Sequence, residues 1–144
     1  VKSRTNNIPE GKQIFEPTGA FKKDYTKSWE YLDKVLTPLE FKAVAKLCRM
    51  AKMNTNSLEP FNGDTAIGVI ANELNIGRNK VTPMFKRFFN LGVYAKFEVA
   101  LENATYTKYW ILNPYLSFSG KLISSDIAAL FKGTVIERIY HLVL

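Results

Sequence analysis

The chain has 144 residues, a hydrophobic share of 47% and an aromatic share of 13%, which is enough to bury one core and too apolar for a disordered chain. Twenty Lys and Arg against 13 Asp and Glu leave a formal net charge of +7, so an acidic partner is favoured: nucleic acid first, an anionic membrane surface second. One cysteine and one histidine exclude an internal disulfide and a Cys/His metal site, no apolar run approaches the roughly 20 residues of a bilayer span, and a lone thiol fits a reducing cytoplasm.

Residues 1–24 are polar and punctuated by Pro9-Glu10-Gly11 and Pro17-Thr18-Gly19. They read as an N-terminal arm with cations at Lys2, Arg4, Lys12, Lys22 and Lys23: a disordered lead-in, which the composition favours, or an arm with one short strand around 13–15. Ser28 is the expected cap of a short helix over 29–36, with Trp29, Leu32 and Leu36 on one side. Thr37-Pro38-Leu39-Glu40 is a stronger start signal, because Thr37 can cap, Pro38 suits the first helical position and Glu40 closes a capping box. That second helix is expected to reach about Met53, with Phe41, Val44, Cys48 and Ala51 facing the core and Lys42, Lys46, Arg49 and Lys52 on a solvated side.

A loop over 54–63 follows. Asp64 or Thr65 then caps a helix in which Ile67, Ile70, Ala71 and Leu74 recur at offsets of about 0, 3, 4 and 7. Asn75-Ile76-Gly77 makes a tight turn, Gly77 being free to take a positive φ. In the next helix Val81, Phe85, Phe88 and Leu91 lie on one side. Asn79, Pro83, Lys86 and Asn90 lie opposite, flanked by Lys80, Thr82 and Arg87. Pro83 demands a late helix start or a bend, and Gly92 ends the helix. The runs 93–98 and 105–112 are rich in aromatic and β-branched residues and predict two strands joined by a tip over 99–104, with Asn113-Pro114 stopping the second. Residues 117–121 read as a turn. Ser124 or Ser125 opens a helix reaching Gly133, and Ile136, Ile139, Tyr140 and Val143 mark a further apolar helix that packs on a partner subunit or on its own domain.

Helix, turn, basic helix, hairpin is the order of a winged helix-turn-helix. The expected class is therefore α+β, mostly helical, with a two- or three-stranded antiparallel wing. The expected organisation is an arm over 1–24, a DNA-binding domain over 25–134 and a C-terminal apolar helix or tail over 135–144. Enzymatic chemistry finds no support, since the chain lacks phosphate-cradling Gly motifs and any Ser-His-acid set would have to use His141. No cofactor or small-molecule substrate is implied.

Between Ile76 and Phe97 stand five cations, Arg78, Lys80, Lys86, Arg87 and Lys96, and no carboxylate. Phosphate contacts supply much of the affinity of a DNA-binding protein, and base-edge contacts supply its selectivity. Asn79 and Lys86 are the leading base readers, since Asn pairs with adenine and Lys with guanine. Arg78, Lys80, Arg87 and Lys96 suit phosphates, and Asn90 and Thr82 suit either role.

The block Ile70-Ala71-Asn72-Glu73-Leu74-Asn75-Ile76-Gly77, the Leu91-Gly92-Val93 step and the Tyr109-Trp110-Ile111-Leu112-Asn113-Pro114 exit, together with Trp29, Leu36-Thr37 and the Asn54–Leu58 stretch, resemble the winged-helix proteins of Gram-positive plasmids and phages. In particular, the pattern resembles the RepL-type plasmid replication proteins. Gly77, where Ser is common, and Pro83 depart from it. The resemblance covers about residues 29–134 and implies duplex binding at an origin or operator, in replication initiation or transcription control. Helix-turn-helix dimers read paired half-sites, so a homodimer is expected. Two other readings fit the residues: a protein-interaction module on the same scaffold, and an RNA or single-strand binder using Tyr94, Phe97 or Tyr109 as stacking faces.

Overall fold

A computed structural model describes residues 24–52, 55–58, 63–100, 106–119 and 125–142. The arm before Asp24, residues 101–105 of the hairpin, Ser124 and Val143 lie outside the described residues. So do Asn54, the stretch 59–62 of the expected loop and the 120–121 end of the expected turn.

Helix α1 spans Thr26–Val35, three residues ahead of the expected start. Its first turn is held from outside, the Thr26 amide donating to Asp24 Oδ1 at 3.1 Å. Ser28 is therefore not a cap. It is buried inside the helix, and its hydroxyl donates to the Tyr115 carbonyl at 3.1 Å. The Trp29 indole N–H donates to the Leu116 carbonyl at 3.1 Å, so α1 is tied to the segment that leaves the hairpin.

Helix α2 spans Pro38–Met50 behind the capping box. The Thr37 amide donates to Glu40 Oε1 at 2.9 Å, and the Glu40 amide to Thr37 Oγ1 at 3.2 Å, which satisfies two amides that a helix start leaves open. It ends three residues short of Met53, where Ala51 turns extended. Its fully buried residues are Ala43, Val44 and Leu47, while Phe41, Cys48 and Ala51 pack at the core's margin. The stripe is rotated because α2 meets both α1 and the next helix.

Helix α3 spans Gly63–Leu74, so Asp64 and Thr65 lie within it rather than before it. Ala66, Ile70 and Ala71 are buried, with Ile67 and Leu74 beside them. The turn follows as expected, but its positive φ belongs to Asn75, at 57°; Asn tolerates this region better than most residues. Gly77, at φ −75°, is the extended cap of helix α4, Arg78–Leu91.

Val81, Phe85 and Phe88 of α4 are buried. The helix begins without delay, leaving Pro83 in its second turn, so one backbone bond is lost. The carbonyl deprived of its donor belongs to Asn79, an exposed residue. Gly92 closes α4 at φ 81° with its N–H on the Phe88 and Phe89 carbonyls, and the Val93 amide reaches Phe88 O at 2.9 Å, a left-handed C-cap.

Strands β1, Tyr94–Ala100, and β2, Tyr106–Leu112, form one antiparallel pair running in register from Tyr94 opposite Leu112 to Ala100 opposite Tyr106. The far edge of β2 makes an isolated bridge between Ser57 and Ile111. The Leu58 amide donates to Trp110 O at 2.9 Å and the Leu112 amide to Asn56 O at 2.8 Å. The described sheet is thus two strands, with a bridge in place of a third.

Helix α5 is only Ser125–Ala129, and turns carry the chain to Gly133 at φ 87°. Thr134 then caps α6, Val135–Tyr140, accepting the Glu137 amide at 3.1 Å. Ile136 joins the same core as Leu32, Phe85 and Phe131. The Tyr140 ring meets Tyr25 of the α1 cap at 5.8 Å and Tyr115 at 5.2 Å. Helix α6 therefore packs on its own domain.

Candidate nucleic-acid interface

The face of α4 turned from the core carries Asn79, Pro83, Lys86 and Asn90, all exposed, with Lys80, Thr82 and Arg87 on its flanks. The 100° step of an α-helix sets this face once Val81, Phe85 and Phe88 are committed to the interior. Lys80 and Lys86 pair with no carboxylate among the described residues. Asn79 folds back over the helix start, where a Cβ on Gly77 would lie 2.6 Å from its Oδ1.

The flanking cations differ in their placement. Arg78 lies against α3, its Nη1 2.5 Å from where a Cβ on Gly68 would sit. The Thr82 hydroxyl donates to the Arg78 carbonyl at 3.1 Å. Arg87 is already engaged within the chain: its Nε lies 3.4 Å from Glu40 Oε2, and its Nη2 donates to the Val35 carbonyl. It fastens α4 to the α1–α2 corner, although it was expected to serve a phosphate. On β1, the exposed Lys96 places its ammonium 5.2 Å from the Phe89 ring centroid and 5.6 Å from that of Trp110, a cation–π arrangement. Among the α2 cations, Lys46 pairs with Glu73 at 2.8 Å, and that contact holds the Glu73 carboxyl below its ordinary pKa.

The three rings expected to stack on the bases of a single strand are covered to different extents. Tyr94 and Tyr109 are buried and Phe97 is half-buried. Tyr94 stacks on Trp110 at 4.5 Å and tilts against Phe85 at 5.9 Å, so these rings fill the joint between hairpin and α4. Burial there pushes the Tyr94 hydroxyl up to about 12. Among the described Phe, Tyr and Trp residues the exposed one is Phe89, at 44%. Sequence reasoning passed over it because it falls beside the apolar stripe of α4, and its only signal was a phenylalanine displaced from that stripe.

Burial pushes the Cys48 thiol up to about 12, leaving it protonated and a poor nucleophile at neutral pH. Among the described residues no group of His, Cys, Asp and Glu is arranged to hold a metal ion, and no helix is long and apolar enough to cross a membrane. The assembled surface is a cationic ridge with amide groups, suited to anionic oxygen and to base edges. Comparison with protein-family models, with curated proteins and with solved structures gives no match to this chain.

Proposed function

We propose that this chain is a sequence-selective, duplex-DNA-binding protein of the winged-helix type, in which α4 enters the major groove and the β1–β2 hairpin is the wing. The observation that carries this reading is the outer face of α4, where Lys86 stands exposed between Asn79 and Asn90 on a helix that follows a tight turn and bears no carboxylate. Lys86 and the two asparagines are the base readers, and Lys80, Arg78 and Lys96 meet phosphates. Its place is replication initiation or transcription control in a plasmid or phage, a role drawn from the RepL-like pattern of the sequence.

The test is selection of bound fragments from a random duplex library, followed by titration across salt concentrations. A common motif should be enriched, palindromic if the protein binds as a dimer, and affinity should fall steeply with salt. Lys86→Ala should weaken binding to the selected site by about tenfold, the scale of one base contact. A library from which nothing is enriched, with Lys86→Ala indistinguishable from the parent, defeats the proposal.

A further inference from the structure

Phe89 takes no part in the interface as described so far. Among the described residues it is one of three exposed large apolar side chains, with Leu39 and Leu142, and only Phe89 stands on α4. Exposure has not left the ring loose. Tyr94 supports it at 5.5 Å, Tyr94 is itself stacked on Trp110, and the Lys96 ammonium lies 5.2 Å from its centroid. The result is an apolar disc fixed in position at the junction of α4 and β1. Lys96 stands over it, and Lys86 is its neighbour one helical turn back.

That setting selects among occupants. An apolar protein surface seated on Phe89 would have to strip water from Lys86 and Lys96 and would offer them nothing in return. A DNA major groove offers both halves at once: a phosphate for Lys96, a guanine edge for Lys86 and, at thymine, a C5 methyl for the ring. Three residues of helix advance about 4.5 Å along its axis, close to the base-pair rise of about 3.4 Å. A ring three residues beyond Lys86 therefore meets a neighbouring base step.

We propose that Phe89 is a specificity-determining residue that packs on the C5 methyl of a thymine, so that the target is duplex DNA with an A·T pair next to the pair faced by Lys86. This rests on the reading of α4 as the element that enters the groove. The sequence of the target beyond that step is set by other side chains.

The experiment takes the best duplex selected by the full chain and compares it with a copy synthesised with deoxyuridine in place of thymidine, which removes only the methyl groups. Loss of one buried methyl contact corresponds to about a fourfold weaker affinity. The parent protein should show that loss or more, Phe89→Ala should bind both duplexes equally, and Phe89→Leu, which keeps an apolar side chain, should retain part of the preference. An equal loss in the parent and Phe89→Ala overturns the proposal, as does no loss in the parent. A parent that prefers the single-stranded form through Phe89 also overturns it and assigns the ring to base stacking. If the parent enriches no duplex at all, the groove-reading role of α4 fails, and this proposal with it. Selective duplex binding without methyl sensitivity defeats the methyl contact alone.

Discussion

The side-chain amide of Asn113 donates to the carbonyl of Gly92 at 2.8 Å, joining the exit of β2 to the end of α4. Asn113 is completely buried. Its Oδ1 accepts the Tyr115 amide at 2.8 Å, and its own amide donates to Val93 O at 2.8 Å. One side chain thus fixes how the hairpin is set against the helix. Asn113→Ala leaves a buried carbonyl and a buried amide without partners, at about 1–3 kcal/mol each. Chemical denaturation should register a loss of about 2–5 kcal/mol, allowing for partial access of water.

Gly92 and Gly133 separate backbone strain from crowding. Both hold positive φ, 81° and 87°. A Cβ on Gly92 would lie 2.8 Å from Thr134 Cγ2, whereas one on Gly133 meets nothing within 4 Å. Alanine at Gly133 should cost only the left-handed penalty, about 1–2 kcal/mol. Alanine at Gly92 should cost visibly more, with a larger drop in Tm, and Thr134→Ser in the same chain should recover part of the difference.

Arg87 and Lys86 are sequence neighbours with different jobs. The Arg87 guanidinium is spent on Glu40 and Val35, while Lys86 faces outward. Lys86→Ala should cost the selected duplex about 1–3 kcal/mol of affinity and relax the preference at the base pair it faces, and Arg87→Ala should leave both unchanged. Arg87→Ala should instead lower stability. Because Arg87 is 48% exposed, a double-mutant cycle with Glu40→Gln should return a coupling of only about 0.2–1 kcal/mol.

Alkaline pH should unfold the protein by a definable route. Burial raises the Cys48 thiol from 9.0 to about 12 and the Tyr25 and Tyr94 hydroxyls from 10.0 to about 12. Between those values the unfolded chain holds fewer protons than the folded one, so stability falls as pH rises. The fold should keep its full stability from these groups below pH 9.0 and lose it progressively towards about 12. The tyrosinate absorbance of Tyr25 and Tyr94, isolated by comparison with the Tyr25→Phe and Tyr94→Phe variants, should then appear together with loss of helix signal. Early ionisation in an intact fold would contradict the burial of these rings.

Local chemistry made much of this architecture legible from the residues. The Thr37–Glu40 box, the apolar spacing of Val81, Phe85 and Phe88, the Gly92 stop and the strand-like runs on either side of the tip each act over a few residues. Most of what escaped depends on partners far along the chain. Ser28 has the chemistry of a cap and equally that of a buried donor, and only the approach of Tyr115 decides between them. A serviceable Gly77 hid the willingness of Asn75 to take the positive φ. Nothing near Arg87 in sequence announces Glu40 or the Val35 carbonyl. Tyr94 is as suited to stacking on a base as to filling a joint, until α4 is laid across the hairpin.

Asn56 carries a consequence for anyone who would shorten this chain. At φ 59° it is buried, its carbonyl accepts the Leu112 amide, and its side chain donates to the Leu112 and Ser117 carbonyls at 3.0 and 2.6 Å. A fragment limited to α3, α4 and the two strands would lose this cover and present the bare margin of β2 as a template for another copy. Excised in that form, the piece should pair with itself and precipitate, so α4 and the segments that sheathe its hairpin must travel together.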